Sequence, residues 1–162
     1  MAHMSPAQQT ILKAAILADP ALAAMPMNSD GHNDIATALN KMATPAFTVW
    51  RTDTPVAQVG AAMNSTEVAG LSTANSTRLQ VMQQYSGGTF NPSIPDVQVG
   101  FNSVFQGAGG ALTRAALLVV WKRPALRIER ILSTGTGTDL APATMGYEGA
   151  VNLYDVQAAR VS

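Results

Sequence analysis

Ala111-Leu-Thr-Arg-Ala-Ala-Leu-Leu-Val-Val-Trp121 is the stretch whose reading decides the fold class. Almost every position in it is apolar, and no other window of the chain is as continuously so. Arg114 and Lys122 bracket its wholly apolar part, Ala115–Trp121, leaving far fewer than the ~20 apolar residues that a spanning helix needs. The run therefore predicts no membrane span but a helix buried on all sides and central to the fold. Pro124 kinks or divides this helix, and Ala125–Leu132 continues it with Leu126, Ile128, Ile131 and Leu132.

Working towards the N-terminus, the pattern is repeatedly helical. Val97, Phe101, Val104 and Phe105 fit one helical face, closed by the glycines of 107–110. Ser76 to Tyr85 predicts another helix, stopped by Gly87-Gly88, and Thr54-Pro55 opens one through Val56, Val59 and Met63. The segment 46–51 reads as a strand or as an extended stretch whose Trp50 anchors it to the core, and the anchor is favoured. A helix starts near Ser29 or Asp30, with Asp30 or Asn33 as its cap, and ends at Thr44-Pro45. The first helix is capped by Ser5 before Pro6 and ends at Pro20. Met1 to Met4, with His3-Met4 compatible with a cloning junction, reads as native sequence, a tag remnant or a disordered start, and is left out of the fold reading.

Towards the C-terminus, 133–138 alternates Gly with Ser and Thr and reads as a flexible turn. Met145–Gly149 reads as one short strand. Asn152 caps a final helix running to Arg160, with Asp155 placing a negative charge in its first turn. The expected fold is mainly α: a helical bundle over 5–132, followed by a C-terminal arm over 133–162 with a short β segment, a Gly-rich turn and a terminal helix.

Composition narrows the function classes. The 162 residues hold ten Lys+Arg and ten Asp+Glu and no cysteine; 47% are hydrophobic and only 12% charged, where a typical domain carries roughly 25% charged. Zero net charge gives no general attraction to nucleic acid or anionic membranes. The absence of cysteine excludes disulfides, thiolate zinc sites and thiol nucleophiles. So few charges on a half-apolar chain suggest a surface covered by other copies or partners, hence a homo-oligomer or a larger assembly.

Candidate chemistry is thin. Gly135-Thr-Gly-Thr138 lacks the Gly-Lys-Ser/Thr ending of a phosphate loop and is followed by Asp139 and Pro142, so a turn is the better reading. His32, in Asp30-Gly-His-Asn-Asp34, lies among metal-competent side chains, but the spacing fits neither a calcium loop nor a zinc site, and capping explains the segment better. Glu67, Glu129 and Glu148 fall in different expected elements, Glu129 between Arg127 and Arg130 where it can pair along a helix. No Gly-x-Ser-x-Gly elbow is present. The expectation is a non-enzyme with no cofactor and no metal. The most uneven feature is basic: Arg123, Arg127 and Arg130 fall at i, i+4 and i+7 of the expected helix, open to solvent, an acidic protein neighbour or, least in keeping with neutral charge, nucleic acid. With Tyr147 and Tyr154 they form the candidate interaction surface.

Trp121-Lys-Arg-Pro-Ala-Leu-Arg-Ile-Glu-Arg-Ile-Leu-Ser-Thr-Gly-Thr-Gly-Thr138, then Ala141-Pro-Ala-Thr-Met-Gly-Tyr-Glu-Gly149 and Asp155-Val156, resembles a group of small uncharacterised proteins encoded in tailed-bacteriophage genomes. The likeness covers the chain from about Phe105 onward and the first hundred residues only loosely. It implies a phage origin and no active residues. Together with the composition it leads to the expectation of a virion structural or assembly protein of tail, neck or capsid, assembled in the host cytoplasm and contacting other virion proteins. The competing classes are a non-virion accessory protein, such as an inhibitor of a host protein, and a small enzyme.

Overall fold

The computed structural model describes residues 4–162. From the N-terminus the elements are α1 (Pro6–Ala18), α2 (Pro20–Ala23), α3 (Ser29–Leu39), β1 (Thr48–Trp50), β2 (Thr54–Pro55), α4 (Val56–Ala62), α5 (Ser65–Ala69), α6 (Thr73–Tyr85) and β3 (Thr89–Phe90). They continue with α7 (Pro95–Val104), a 3-10 turn (Ala108–Gly110), α8 (Ala111–Val120), β4 (Lys122–Pro124), α9 (Arg127–Ile131), β5 (Ser133–Thr134), β6 (Thr144–Met145) and α10 (Leu153–Val161). The fold is mainly α with minor β, as the sequence predicts. Its division is different. One compact unit takes the chain up to Val49 and again from Pro124 to Ser162, and a second takes Trp50–Arg123.

In the first unit, local sequence chemistry sets the helix ends. Ser5 accepts from the Gln8 N–H at 3.3 Å while the Gln8 side chain accepts from the Ser5 N–H at 2.7 Å, closing a capping box ahead of Pro6. Pro20 ends α1 but also begins α2, because the Asp19 carboxylate accepts from the N–H groups of Ala21 and Leu22. The cap of α3 is Asn28, which accepts from Gly31 at 2.9 Å, rather than Asp30 or Asn33. Asn152 and Asp155 form the expected reciprocal box at the start of α10.

Residues 133–162 are not an arm. The helix α10 packs on α1 and α3, and Tyr147, Val151, Val156 and Ala159 are buried with Leu12, Ile16, Ile35, Leu39 and Ile128 in one core. Polar ties close the same contact: the Asn40 side-chain amide exchanges two 2.8 Å hydrogen bonds with the backbone of Val151, and Arg160 donates to the carbonyls of Met25 and Pro26. Met4, set aside from the sequence with the three residues before it, is buried in this core as well; residues 1–3 lie outside the described residues.

The glycine-rich turn is fixed rather than flexible. It links the antiparallel pair β5–β6, in register Ser133↔Met145 and Thr134↔Thr144. Gly137 is buried at φ 65°, its carbonyl accepts from the Thr48 N–H at 2.8 Å, and a Cβ there would overlap the Phe47 ring. Phe47 in turn packs against a small cluster of Val49, Ala125 and Ala143.

The second unit is built around Phe101, whose ring meets Phe90 at 5.0 Å and Trp121 at 5.1 Å, both edge to face. Val59, Leu79, Val104, Phe105 and Leu117 complete the core, with Trp50 packed against it as the anchor reading expects; the segment is nonetheless strand, β1. Thr54 pairs with Phe90 and Pro55 with Thr89, so the helix expected to open at Thr54-Pro55 starts only at Val56.

Helix α8 corrects the central expectation. It packs on α4 and buries Thr113 and Leu117, but Leu112 is 63% exposed and Val119 65% exposed. Apolar continuity does not oblige every face to be covered; one face of this ten-residue helix meets neighbours and the other does not. Its N-terminus lacks a side-chain cap of its own and is tied down from α5: the Glu67 carboxylate accepts from Leu112 at 2.9 Å and Thr113 at 2.7 Å. Among the described residues no single helix is long and apolar enough to cross a membrane, and the joined stretch Pro95–Val104 and Ala108–Val120 is bent by 116°.

Candidate functional site

The helix expected to continue past Pro124 and to align three arginines on one face does not form. Pro124 disfavours the α conformation at Arg123, and Ala125 then bonds by its N–H to the Phe47 carbonyl and by its carbonyl to the Ala43 N–H. Arg123 consequently lies on β4 in the second unit, whereas Arg127 and Arg130 lie on α9 in the first. Tyr147 is a core residue only 9% exposed; its hydroxyl donates to the Ala150 carbonyl at 3.1 Å. Burial, helped by the negative charge of Asp155, pushes its phenol above the usual range. Tyr154, by contrast, is 71% exposed on α10.

What the first unit does bring together is an open groove of about 560 Å³. Arg127 and Arg130 line it with Thr44 and Asp19, while Ala15, Ala18, Pro20 and Ile131 supply apolar walls. Arg127 forms an ion pair with Asp19, and this bond, ahead of the backbone N–H groups of Leu22 and Ala21, holds the Asp19 carboxyl below its ordinary range against the opposing effect of burial. Arg130 donates to the carbonyls of Thr44 at 3.1 Å and Pro45 at 3.4 Å, and its guanidinium sits 5.6 Å from the centre of the Phe47 ring. Both guanidiniums are thus held in place.

The remaining candidate groups serve the backbone. Glu129 is 1% exposed and accepts from Leu126 N–H at 2.8 Å and from Gly149 N–H at 2.9 Å. One carboxylate therefore caps α9 and fastens the loop before α10. Glu129→Leu, which leaves both donors without that acceptor, is expected to destabilise the first unit by roughly 2–5 kcal/mol. Glu129→Gln should recover part of the loss. Chemical denaturation followed by circular dichroism measures both; a Leu variant as stable as the parent would refute the role.

Glu67 is pushed up by burial, but hydrogen bonds from the Thr113 side chain and from the backbone of Thr113 and Leu112, with the charge of Arg114, together hold it below the usual carboxylate range. In the glycine-rich turn Thr138 N–H is spent on the Ala141 carbonyl, so the turn does not present it to an anion. His32 is 5% exposed and its Nε2 has no hydrogen-bond partner. Among the described residues no three His, Asp or Glu side chains are grouped to hold a metal ion.

Sequence reasoning singled out Arg127 and Arg130 only within a triple at i, i+4 and i+7, from which Arg123 drops out. It missed Asp19, Thr44 and Phe47, which fix that pair, because they stand far away in the chain and carry no local signal. Compared with protein-family models, with curated proteins and with solved structures, the chain matches none of them.

Proposed function

We propose that this chain is a structural or assembly subunit of a tailed-bacteriophage virion, acting through protein–protein contacts in tail, neck or capsid and carrying out no catalytic step. One observation carries the assembly part: the uncovered face of α8, where Leu112 and Val119, seven residues apart, stand 63% and 65% exposed on a chain with only 12% charged residues. Two turns of helix separate them, so they lie along one stripe, the arrangement that an apolar helix face presents to a neighbouring subunit. The phage part is supported by the wording of the segment from Trp121 to Asp155.

The chain is expected to sediment as more than a monomer. Val119→Asp should shift it towards monomer while leaving its far-UV circular dichroism unchanged, since within one chain the substitution touches no packed contact. Mass spectrometry of purified phage particles should find the protein at many copies. A parent that is monomeric throughout, or absence from particles, would overturn the reading.

A further inference from the structure

We propose that the groove between α1 and α9 is a binding site for a small organic oxyanion, a carboxylate or phosphate monoester carried on a compact apolar body. The inference rests on the groove alone and not on the assembly reading. Its volume, about 560 Å³, falls within the roughly 300–1,000 Å³ of small-molecule sites. Its lining has two characters: Ala15, Ala18, Pro20 and Ile131 offer apolar surface, while Arg127 and Arg130 offer donors.

The charge balance favours an anion. Among the described residues that line the groove, Asp19 is the one carboxylate against two guanidiniums, so the groove keeps a net positive charge after the ion pair has formed. The ion pair uses Nη2 of Arg127, and the Thr44 and Pro45 carbonyls occupy Nη1 of Arg130. A guanidinium has five N–H donors on three nitrogens. Nε and Nη1 of Arg127, and Nε and Nη2 of Arg130, have no acceptor among the described residues, which leaves donors for a planar or tetrahedral oxyanion.

The guanidiniums are also ordered before any ligand arrives. Asp19 is itself held through Ala21 and Leu22, and Arg130 is clamped between two carbonyls and the Phe47 ring. Much of the side-chain entropy that binding an anion would cost is therefore already spent in folding. Free surface arginines lack this feature.

Titration of the full chain with benzoate, phenyl phosphate and the neutral benzyl alcohol, read by amide chemical shifts, tests the site. Benzoate or phenyl phosphate should shift residues lining the groove saturably, and benzyl alcohol should bind at least about tenfold more weakly. The tighter of the two anions identifies the source as carboxylate or phosphate. Arg130→Gln should weaken the anion about tenfold.

Asp19→Asn provides the arm that does not depend on loss of structure. Asn caps α2 as well as Asp does, while removal of the competing negative charge should tighten the anion severalfold. Equal binding of the neutral analogue would overturn the proposal. So would unchanged affinity in Arg130→Gln, no tightening in a folded Asp19→Asn chain, or shifts scattered over the surface without saturation.

Discussion

Deletion of residues 134–162 is expected to unfold the first unit instead of releasing a folded bundle from its tail. The cut removes Tyr147, Val151, Val156 and Ala159 from the core that surrounds Leu12, Ile16, Ile35 and Leu39. Truncating a single large core side chain costs about 2–5 kcal/mol, and a whole domain is stable by only about 5–15 kcal/mol. Loss of one helix and of two further core side chains, Tyr147 and Val151, exceeds that margin. The deletion also takes away the Gly149 N–H that Glu129 holds and the Val151 backbone that Asn40 holds, leaving a carboxylate and an amide without those partners. Far-UV circular dichroism should show a loss of helix larger than the nine residues of α10 account for, together with loss of a cooperative transition. A truncated chain that melts cooperatively near the parent midpoint would show that 134–162 contributes little to the core.

The contrast between α10 and its surroundings explains what could be read in advance. The Asn152–Asp155 box and the Ser5-Pro6 start are contained within four residues or fewer, so local pattern suffices to find them. Proline and glycine likewise marked many ends correctly. The division of the chain was not legible, because it depends on the backbone leaving one unit after Val49 and returning at Pro124, with no composition shift at either point.

The same limit applies to individual residues. Gly137 looked like a flexible position until Phe47, ninety residues earlier, filled the space where a side chain would stand. Glu129 looked like a helix-surface partner for its neighbouring arginines, and its actual acceptor role involves Gly149, twenty residues on. Of the groove, the arginine pair was visible and its carboxylate was not. Asp19 and Arg127 are separated by 108 residues, and only the packing of α1 beside α9 brings them together.

Leu117→Asp is expected to unfold the second unit, and its measurement isolates that unit cleanly. Leu117 is 1% exposed and packs in the core of Phe101, Phe105 and Trp121 on the inner face of α8. A carboxylate there would sit among the apolar side chains of Phe101, Phe105 and Trp121, and burying a charge in apolar surroundings costs several kcal/mol beyond the lost contacts. Leu117→Ala, which removes only the packing, should cost about 2–5 kcal/mol and serves as the milder step in the series. Both tryptophans, Trp50 and Trp121, belong to this unit, so their emission reports on it and not on the first. In Leu117→Asp the emission should move to the red at room temperature, as buried Trp121 meets water, and its thermal transition should disappear. Val119, two positions further along but on the outer face, should accept the same aspartate with emission unchanged. Opposite responses at 117 and 119 would fix which face of α8 is core and which is free. Parent-like emission and melting in Leu117→Asp would mean that the helix does not pack through Leu117 at all.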